Sequence, residues 1–204
     1  RAVAVSNAPT ISKLSLVSVP DRHMICFGAT PDNTVEDPLL VRWSDQEDYT
    51  TWTPAAANTA GSQRLQNGSK IVAAVQTRDQ ILIFTDDALY GMQFQGPPFT
   101  FGFRILGTGG APLSQNSVVD VNGTVYWMGS KHFYMYDGSV KILPSPVRDH
   151  VFDSMDSIQE LSVYSGINRS FTEIWWLYTA TGADSPNRYV CVNYKTNEWH
   201  FGTL

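Results

Sequence analysis

Residues 118–128 read VVDVNGTVYWM, two apolar runs separated by Asn122-Gly123. An Asn-Gly pair accepts the positive φ angles of a tight hairpin turn. The runs on either side are rich in the β-branched and aromatic residues that fit a pleated, half-buried surface. The segment therefore predicts a β-hairpin, with Val118–Val121 as its first strand and Val125–Met128 as its second.

The same pair of strands recurs along the chain, each time followed by two more. The other pairs are Leu14–Val19 with Met24–Phe27, Ile71–Val75 with Ile81–Phe84, and Leu161–Tyr164 with Ile174–Tyr178, the last turned by Ser165, Gly166 and Asn168. Third strands are predicted at Leu39–Trp43, Ala88–Phe94, Phe133–Tyr136 and Tyr189–Tyr194. Closing strands are predicted at Tyr49–Thr53, Phe99–Leu106, Ser139–Leu143 and Glu198–Phe201. About four antiparallel, four-stranded blades of a propeller-like array follow from this pattern.

One interruption of the strand pattern, Ser145–Ile158, predicts a short helix between two blades. Ser145 is a capping residue, Pro146 fits a first turn, and Val147, Val151, Met155 and Ile158 share one face. We expect one all-β domain over residues 1–204. Because the chain begins at Arg1 rather than Met, this domain is alternatively a segment of a larger protein. A β-sandwich of the same strands is the alternative fold, because periodicity does not fix how sheets pack.

Composition narrows the function classes. The net charge of −5 comes without a Lys/Arg stripe, which disfavours tight nucleic-acid binding. No apolar stretch approaches the roughly 20 residues that span a bilayer. Cys26 and Cys191 lie in apolar strand-like runs, so we expect buried free thiols, with a disulfide as the alternative.

Chemistry-bearing motifs are missing, so we predict no catalytic, cofactor-binding or metal-binding residues and no enzyme activity. His23, His132, His150 and His200 are scattered and are interpreted as surface or partly packed histidines. No Gly-x-Ser-x-Gly elbow occurs, and the glycines at 107, 109 and 110 precede Ala111-Pro112 rather than a helix, which predicts a loop. The acids Asp45, Glu47 and Asp48 lack the glycine of a calcium loop and are interpreted as solvated turn residues.

Two carbohydrate hypotheses remain as alternatives. Residues 43–52 faintly resemble the Asp-box turns of sialidase-like propellers, and a sialidase would also need arginines such as Arg42, Arg78 and Arg104 to converge on one carboxylate. A glycan-binding module would instead need exposed aromatic platforms. We assign Trp127, Trp175 and Trp176 to the core and expect Trp52 and Trp199 to be freer.

Ordered blocks of sequence carry a resemblance to virion proteins of tailed bacteriophages. They are residues 38–48 (PLLVRWSDQED), 52–54, 71–78, 87–90, 96–99, 126–129, 133–138, 173–176, 188–190 and 199–204. The chain resembles the nozzle, hub or DNA-stabilisation proteins of short tails from about Met24 onward.

This resemblance implies a structural protein of the phage tail, located in the virion. It implies a ring of copies of the chain, such as a hexamer, in contact with adjacent tail proteins. DNA is expected to pass through the channel without tight binding, and the family pattern carries no catalytic residues to transfer.

Overall fold

The structure is a computed structural model that describes residues 5–31, 35–96, 98–156 and 161–204. Its strands form four four-stranded antiparallel sheets, so the predicted all-β, propeller-like array of blades is confirmed. The chain groups into two compact units, residues 1–109 and 110–204, with two sheets in each. The expectation of a single domain stays a prediction.

The first unit holds sheets one and two. Sheet one comprises β1 (Ser12–Val17), β2 (Met24–Ala29), β3 (Leu40–Trp43) and β4 (Gly61–Arg64). Sheet two comprises β5 (Ile71–Gln76), β6 (Ile81–Thr85), β7 (Ala88–Gly96) and β8 (Thr100–Thr108). Each sheet is a meander in chain order, and β1 lies beside β5.

The second unit holds sheets three and four. Sheet three comprises β9 (Val118–Val121), β10 (Thr124–Met128), β11 (Phe133–Tyr136) and β12 (Val140–Leu143). Sheet four comprises β13 (Tyr164–Asn168), β14 (Glu173–Tyr178), β15 (Arg188–Asn193) and β16 (Trp199–Thr203). Here β9 lies beside β13, so in both units the first strands of consecutive sheets are neighbours. The β9–β10 turn uses Asn122 (φ 54°) and Gly123 (φ 93°), as predicted.

The helix is shorter than predicted. It is α1 (Arg148–Ser154), and Val147 rather than Ser145 is its N-cap, with no side-chain capping bond. Val151 is buried, and Val147 and Met155 pack partly buried against the same core, as the spacing predicted. Ile158 lies outside the described residues.

Two predicted strands are wrong. Tyr49–Thr53 is not the closing strand of sheet one, because the Asp48 carboxylate accepts the backbone N–H of Thr50 and holds this segment in a turn. The closing strand is β4. The first strand of sheet four is β13 rather than Leu161–Tyr164, so Ser165, Gly166 and Asn168 lie in the strand and not in a turn. The Ser165 hydroxyl donates to the carbonyls of Asn116 (2.7 Å) and Val118 (3.1 Å), which fixes β13 beside β9.

Each unit has its own core between its two sheets. In the first, Trp43 and Phe101 meet edge to face with ring centroids 5.3 Å apart. In the second, Phe133 packs against Trp176 (5.1 Å) and Trp199 (4.7 Å). Burial of these large apolar surfaces is the main source of stability.

Candidate functional site

A polar cleft of about 170 Å³ opens in the first unit, where the β1–β2 loop and the β5–β6 turn meet strands β7 and β8. The β1–β2 loop contributes Asp21, the β5–β6 turn contributes Arg78 and Asp79, and strand β7 contributes Gln93. Phe101 of β8 also lines it. The cleft therefore combines carboxylate acceptors, a guanidinium donor and an aromatic surface, a mixture that suits a small polyhydroxylated ligand.

Two glutamines in this cleft are held in place by hydrogen bonds. Gln76 accepts from the backbone N–H of Val19 at 3.2 Å and donates to the Thr77 carbonyl at 2.6 Å. The Oε1 of Gln80 accepts from the guanidinium of Arg104 at 3.3 Å. Sequence reasoning missed this cleft, because its residues come from separate turns with no common motif.

His23 packs close to the cleft and is fully buried, which corrects the expectation of surface or partly packed histidines at this position. Its ring lies 5.0 Å from the ring of Phe101 and 5.6 Å from that of Phe94, and its Nε2 is 3.1 Å from the Thr59 hydroxyl. Burial lowers the pKa of His23 below its ordinary value, against the opposing pull of Asp21 and Asp45. Burial therefore favours the neutral imidazole.

An acidic turn, residues 45–52, lies in the connection between β3 and β4 and exposes Tyr49 to solvent. Asp48 accepts from the N–H of Thr50 (2.7 Å) and from the hydroxyls of Thr50 (2.5 Å) and Thr51 (2.7 Å). These bonds hold the pKa of Asp48 below its usual value, with the Thr50 hydroxyl as the largest cause. The acid thus serves as an acceptor that shapes the turn.

Asp45 is similarly occupied, because it accepts from the N–H (2.8 Å) and hydroxyl (2.6 Å) of Thr59. Those bonds, led by the one from the hydroxyl, lower its pKa. Glu47 forms an exposed ion pair with Arg22. The interpretation of Asp45, Glu47 and Asp48 as turn acids agrees with these contacts, and no group of three metal-ligating side chains occurs in the part of the chain that the structure describes.

The three arginines suggested for a sialidase site have separate roles. Arg42 is buried and donates to the carbonyls of Thr30 and Asn7, both at 3.0 Å. Arg104 donates to Gln80, and Arg78 lines the polar cleft. These contacts do not direct the three guanidinium groups at one carboxylate.

An apolar groove, which we call the sheet-four groove, lies on one face of sheet four. It is lined by Tyr164, Ser165, Gly166, Ile167, Asn168, Trp175 and Leu177. Gly166 pairs across the sheet with Trp175, and a Cβ added at Gly166 would meet nothing within 4 Å. The Trp175 ring instead stacks on Tyr189 with centroids 4.6 Å apart, which leaves the floor of the groove open above Gly166.

The tryptophan assignments are partly confirmed. Trp127 and Trp176 are buried as predicted. Trp175 is only half-buried, because it points to the opposite face of β14 from Trp176. Trp52, expected to be freer, is 3% exposed, and its indole N–H donates to the Tyr49 carbonyl at 2.7 Å. Trp199 is half-buried against the core of the second unit.

Cys26 and Cys191 are both buried free thiols, as expected. Burial raises the pKa of Cys26 and, with the nearby Glu173, raises that of Cys191 to about 11. Among the described residues, no helix is both long and apolar enough to cross a membrane. The chain matches no protein-family model and no curated protein sequence.

Proposed function

We propose that this chain is a non-enzymatic structural component of a bacteriophage tail, of nozzle or hub type. In the virion its copies assemble into a ring that forms or gates the conduit for DNA and contacts adjacent tail proteins. The resemblance of its ordered sequence blocks to such proteins and its array of four-stranded sheets support this proposal.

The observation that carries the proposal is an uncovered apolar face. The central strands β6 and β10 are buried on both faces, from Ile81 to Thr85 and from Val125 to Met128. Strand β14 has an equally apolar sequence, EIWWLY, but only alternate residues are buried. A strand with a continuous apolar run is typical of a sheet covered on both sides. The open face of sheet four therefore favours assembly.

The charge of the chain also supports a conduit. Phosphate contacts from Lys and Arg dominate nucleic-acid affinity, and a lumen rich in them would hold the DNA. A net charge of −5 without a basic stripe is suited to DNA that must slide past.

Light scattering coupled to size exclusion, followed by negative-stain electron microscopy of the same fraction, tests the proposal. We expect ring particles with an axial hole and no retention of duplex DNA in a filter-binding assay at 0.15 M salt. Particles that stay monomeric at every concentration up to about 100 µM, a range in which weak interfaces already associate, would overturn the self-assembly.

A glycan-binding module, or a sialidase-like glycosidase, is the second candidate, and the polar cleft favours it. Asp21 and Asp79 both line that cleft. They are the two carboxylates that a glycosidase mechanism, which needs such a pair about 5 to 10 Å apart, would require there. Glycan-array binding and hydrolysis of chromogenic glycosides test this candidate. Signals that vanish in both Asp21→Asn and Asp79→Asn would favour it over the tail protein.

A further inference from the structure

We infer that the polar cleft of the first unit binds one neutral sugar ring that carries free hydroxyl groups. The cleft offers carboxylate acceptors for the hydroxyls and an apolar surface for the C–H groups of such a ring. This inference goes beyond the proposed self-assembly. It rests on the glycan-binding candidate, whose ligand it names.

The β1–β2 loop holds Asp21 in a fixed position. The N–H of Arg22 donates to the Ser18 carbonyl at 2.9 Å, and the N–H of Ser18 donates to the His23 carbonyl at 2.9 Å. The Ser18 hydroxyl also accepts from the N–H of His23 at 3.0 Å. These hydrogen bonds close the loop around Asp21, so little backbone entropy is lost when a ligand binds there.

The β5–β6 turn holds Arg78 and Asp79 in the same way. The N–H and the hydroxyl of Thr77 both donate to the Gln80 carbonyl, at 2.9 and 2.7 Å, and the two charged residues lie between them in the chain. Gln76, at the end of β5, also accepts from the β1–β2 loop at 3.2 Å. The two turns that carry the charged groups are therefore tied to each other before a ligand arrives.

The polar side chains that line the cleft are available to a ligand. In the part of the chain that the structure describes, no hydrogen bond or ion pair engages the side chains of Asp21, Arg78, Asp79 and Gln93. The acids of the acidic turn differ, because threonine hydroxyls and N–H groups already occupy them. A carboxylate only accepts and a guanidinium only donates, whereas a hydroxyl does both. The cleft can therefore hydrogen-bond several hydroxyl groups of one ligand.

The charges around the cleft balance. Asp21 and Asp79 line it together with Arg78. The guanidinium of Arg104 lies next to it and donates to Gln80, another lining residue, at 3.3 Å. These two carboxylates and two guanidinium groups leave no excess charge to attract an anion or a cation. A neutral ligand is therefore preferred over a phosphate, a carboxylate or an ammonium group.

The rest of the cleft is apolar and small. Ile81 and Met92 line it and are buried, and Phe94 and Phe101 add two aromatic rings with centroids 5.7 Å apart. Aromatic side chains offer an apolar surface to the C–H groups on one face of a sugar. The volume of about 170 Å³ is below the roughly 300 Å³ at which pockets for drug-sized ligands begin. The cleft therefore has room for one sugar ring, and a longer glycan would extend into solvent.

His23 lies against the aromatic side chains of the cleft and reports on them. Its buried ring is 5.0 Å from that of Phe101 and 5.6 Å from that of Phe94. Its Nδ1 has no hydrogen-bond partner among the described residues, and such buried polar atoms are uncommon in proteins. A ligand that contacts Phe101 or Asp21 changes the surroundings of this imidazole. His23 is therefore a spectroscopic probe of the cleft.

Proton NMR of the four histidines of the full chain, recorded during a sugar titration, tests the inference. The probes are the neutral methyl pyranosides of glucose, galactose and mannose, with glucosamine as the cationic and glucuronate as the anionic analogue. Loss of one set of signals in His23→Gln assigns His23. We expect at least one neutral pyranoside to shift the His23 signals with a Kd on the order of 1 mM, which is ordinary for so small a ligand. The other three histidines should not respond, and the charged analogues should bind about threefold more weakly.

Three matched substitutions of aspartate locate the binding site. Asp21→Asn keeps the shape of the side chain but removes the charge that strengthens its hydrogen bonds, so we expect the Kd to rise about tenfold. Asp79→Asn, at a more exposed position, should raise it about threefold. Asp184→Asn makes the same change at an exposed position of the second unit and should leave the Kd unchanged. The cleft carboxylates have no partner to lose among the described residues, so urea unfolding should not distinguish the variants.

A saturating His23 shift that weakens in Asp21→Asn but not in Asp184→Asn supports the inference. Tighter binding of glucosamine or glucuronate overturns it, and so do shifts confined to the other histidines. An unchanged His23 signal with every pyranoside up to about 50 mM, well above the expected Kd, also overturns it.

The failure of this inference is distinguishable from failure of the functions proposed above. If no single sugar ring binds but larger glycans bind on an array, the ligand is wrong and the glycan-binding candidate stands. If neither binds, both are wrong. Self-assembly is measured separately by electron microscopy, so the proposed tail function is decided there.

Discussion

Exchanging Trp176 for phenylalanine tests which face of sheet four is packed. The Trp176 side chain is fully buried, and its indole N–H donates to the Ser117 carbonyl at 3.0 Å. Phenylalanine leaves that carbonyl without its partner, which costs about 1 to 3 kcal/mol, and leaves a small cavity. We expect Trp176→Phe to lower the free energy of unfolding of the second unit by about 2 to 4 kcal/mol.

The adjacent Trp175 provides a matched control of the same residue type. Its indole N–H donates to Glu173 on the half-exposed face, where water replaces the lost bond. We expect Trp175→Phe to cost less than about 1 kcal/mol, because substitutions at exposed positions have small effects.

Urea unfolding followed by far-UV circular dichroism measures both variants at a concentration where the chain is monomeric. Two compact units can unfold in separate transitions, so each transition is fitted by itself. An equal loss of stability in the two variants would refute the assignment, since a one-residue slip of β14 exchanges its two faces.

Three further predictions concern the stability effect of a turn glycine, the pH dependence of stability and the reactivity of the two thiols. Gly123→Ala places a side chain at φ 93° and should cost about 1 kcal/mol in thermal unfolding, whereas Gly166→Ala should not. Burial lowers the pKa of folded His23, so the unfolded chain binds this proton at a higher pH than the folded chain does. Stability should therefore fall as the pH drops from 7.5 to 5.5, by up to about 1.4 kcal/mol per unit of pKa shift, and His23→Gln should remove this slope. Cys26 and Cys191 should react with Ellman's reagent slowly when folded and rapidly in urea.

Local patterns predicted most strands well. Phe133–Tyr136 and Val118–Val121 have the predicted bounds. In both cases the apolar run indicates the strand, and the turn residues beside it indicate where the strand ends. The edge strand β4 gave no such signal. Its residues, Gly61–Arg64, are polar and largely exposed. Residues 49–53 instead have the aromatic and β-branched composition of a strand, but hydrogen bonds to Asp48 hold them in a turn.

The candidate sites were less predictable than the strands. The polar cleft joins Asp21 to Asp79, and the sequence between them contains no motif that brings the two together. Trp175 and Trp176 are the same residue type at neighbouring positions, and the register of β14 decides which one is buried. Both features depend on how sheets pair and pack, which a single sequence does not fix.

Strand β14 has one buried face and one partly exposed face along its six residues. Ile174, Trp176 and Tyr178 face the core of the second unit and are buried, so their loss weakens folding. Trp175 and Leu177 face the open side, where each 100 Å² of apolar surface still in contact with water represents about 2.5 kcal/mol that a partner can recover. Substitutions on the first face should therefore shift unfolding at any protein concentration. Those on the second face should shift only the concentration-dependent association that we propose, and such a difference would identify the open face as the interface.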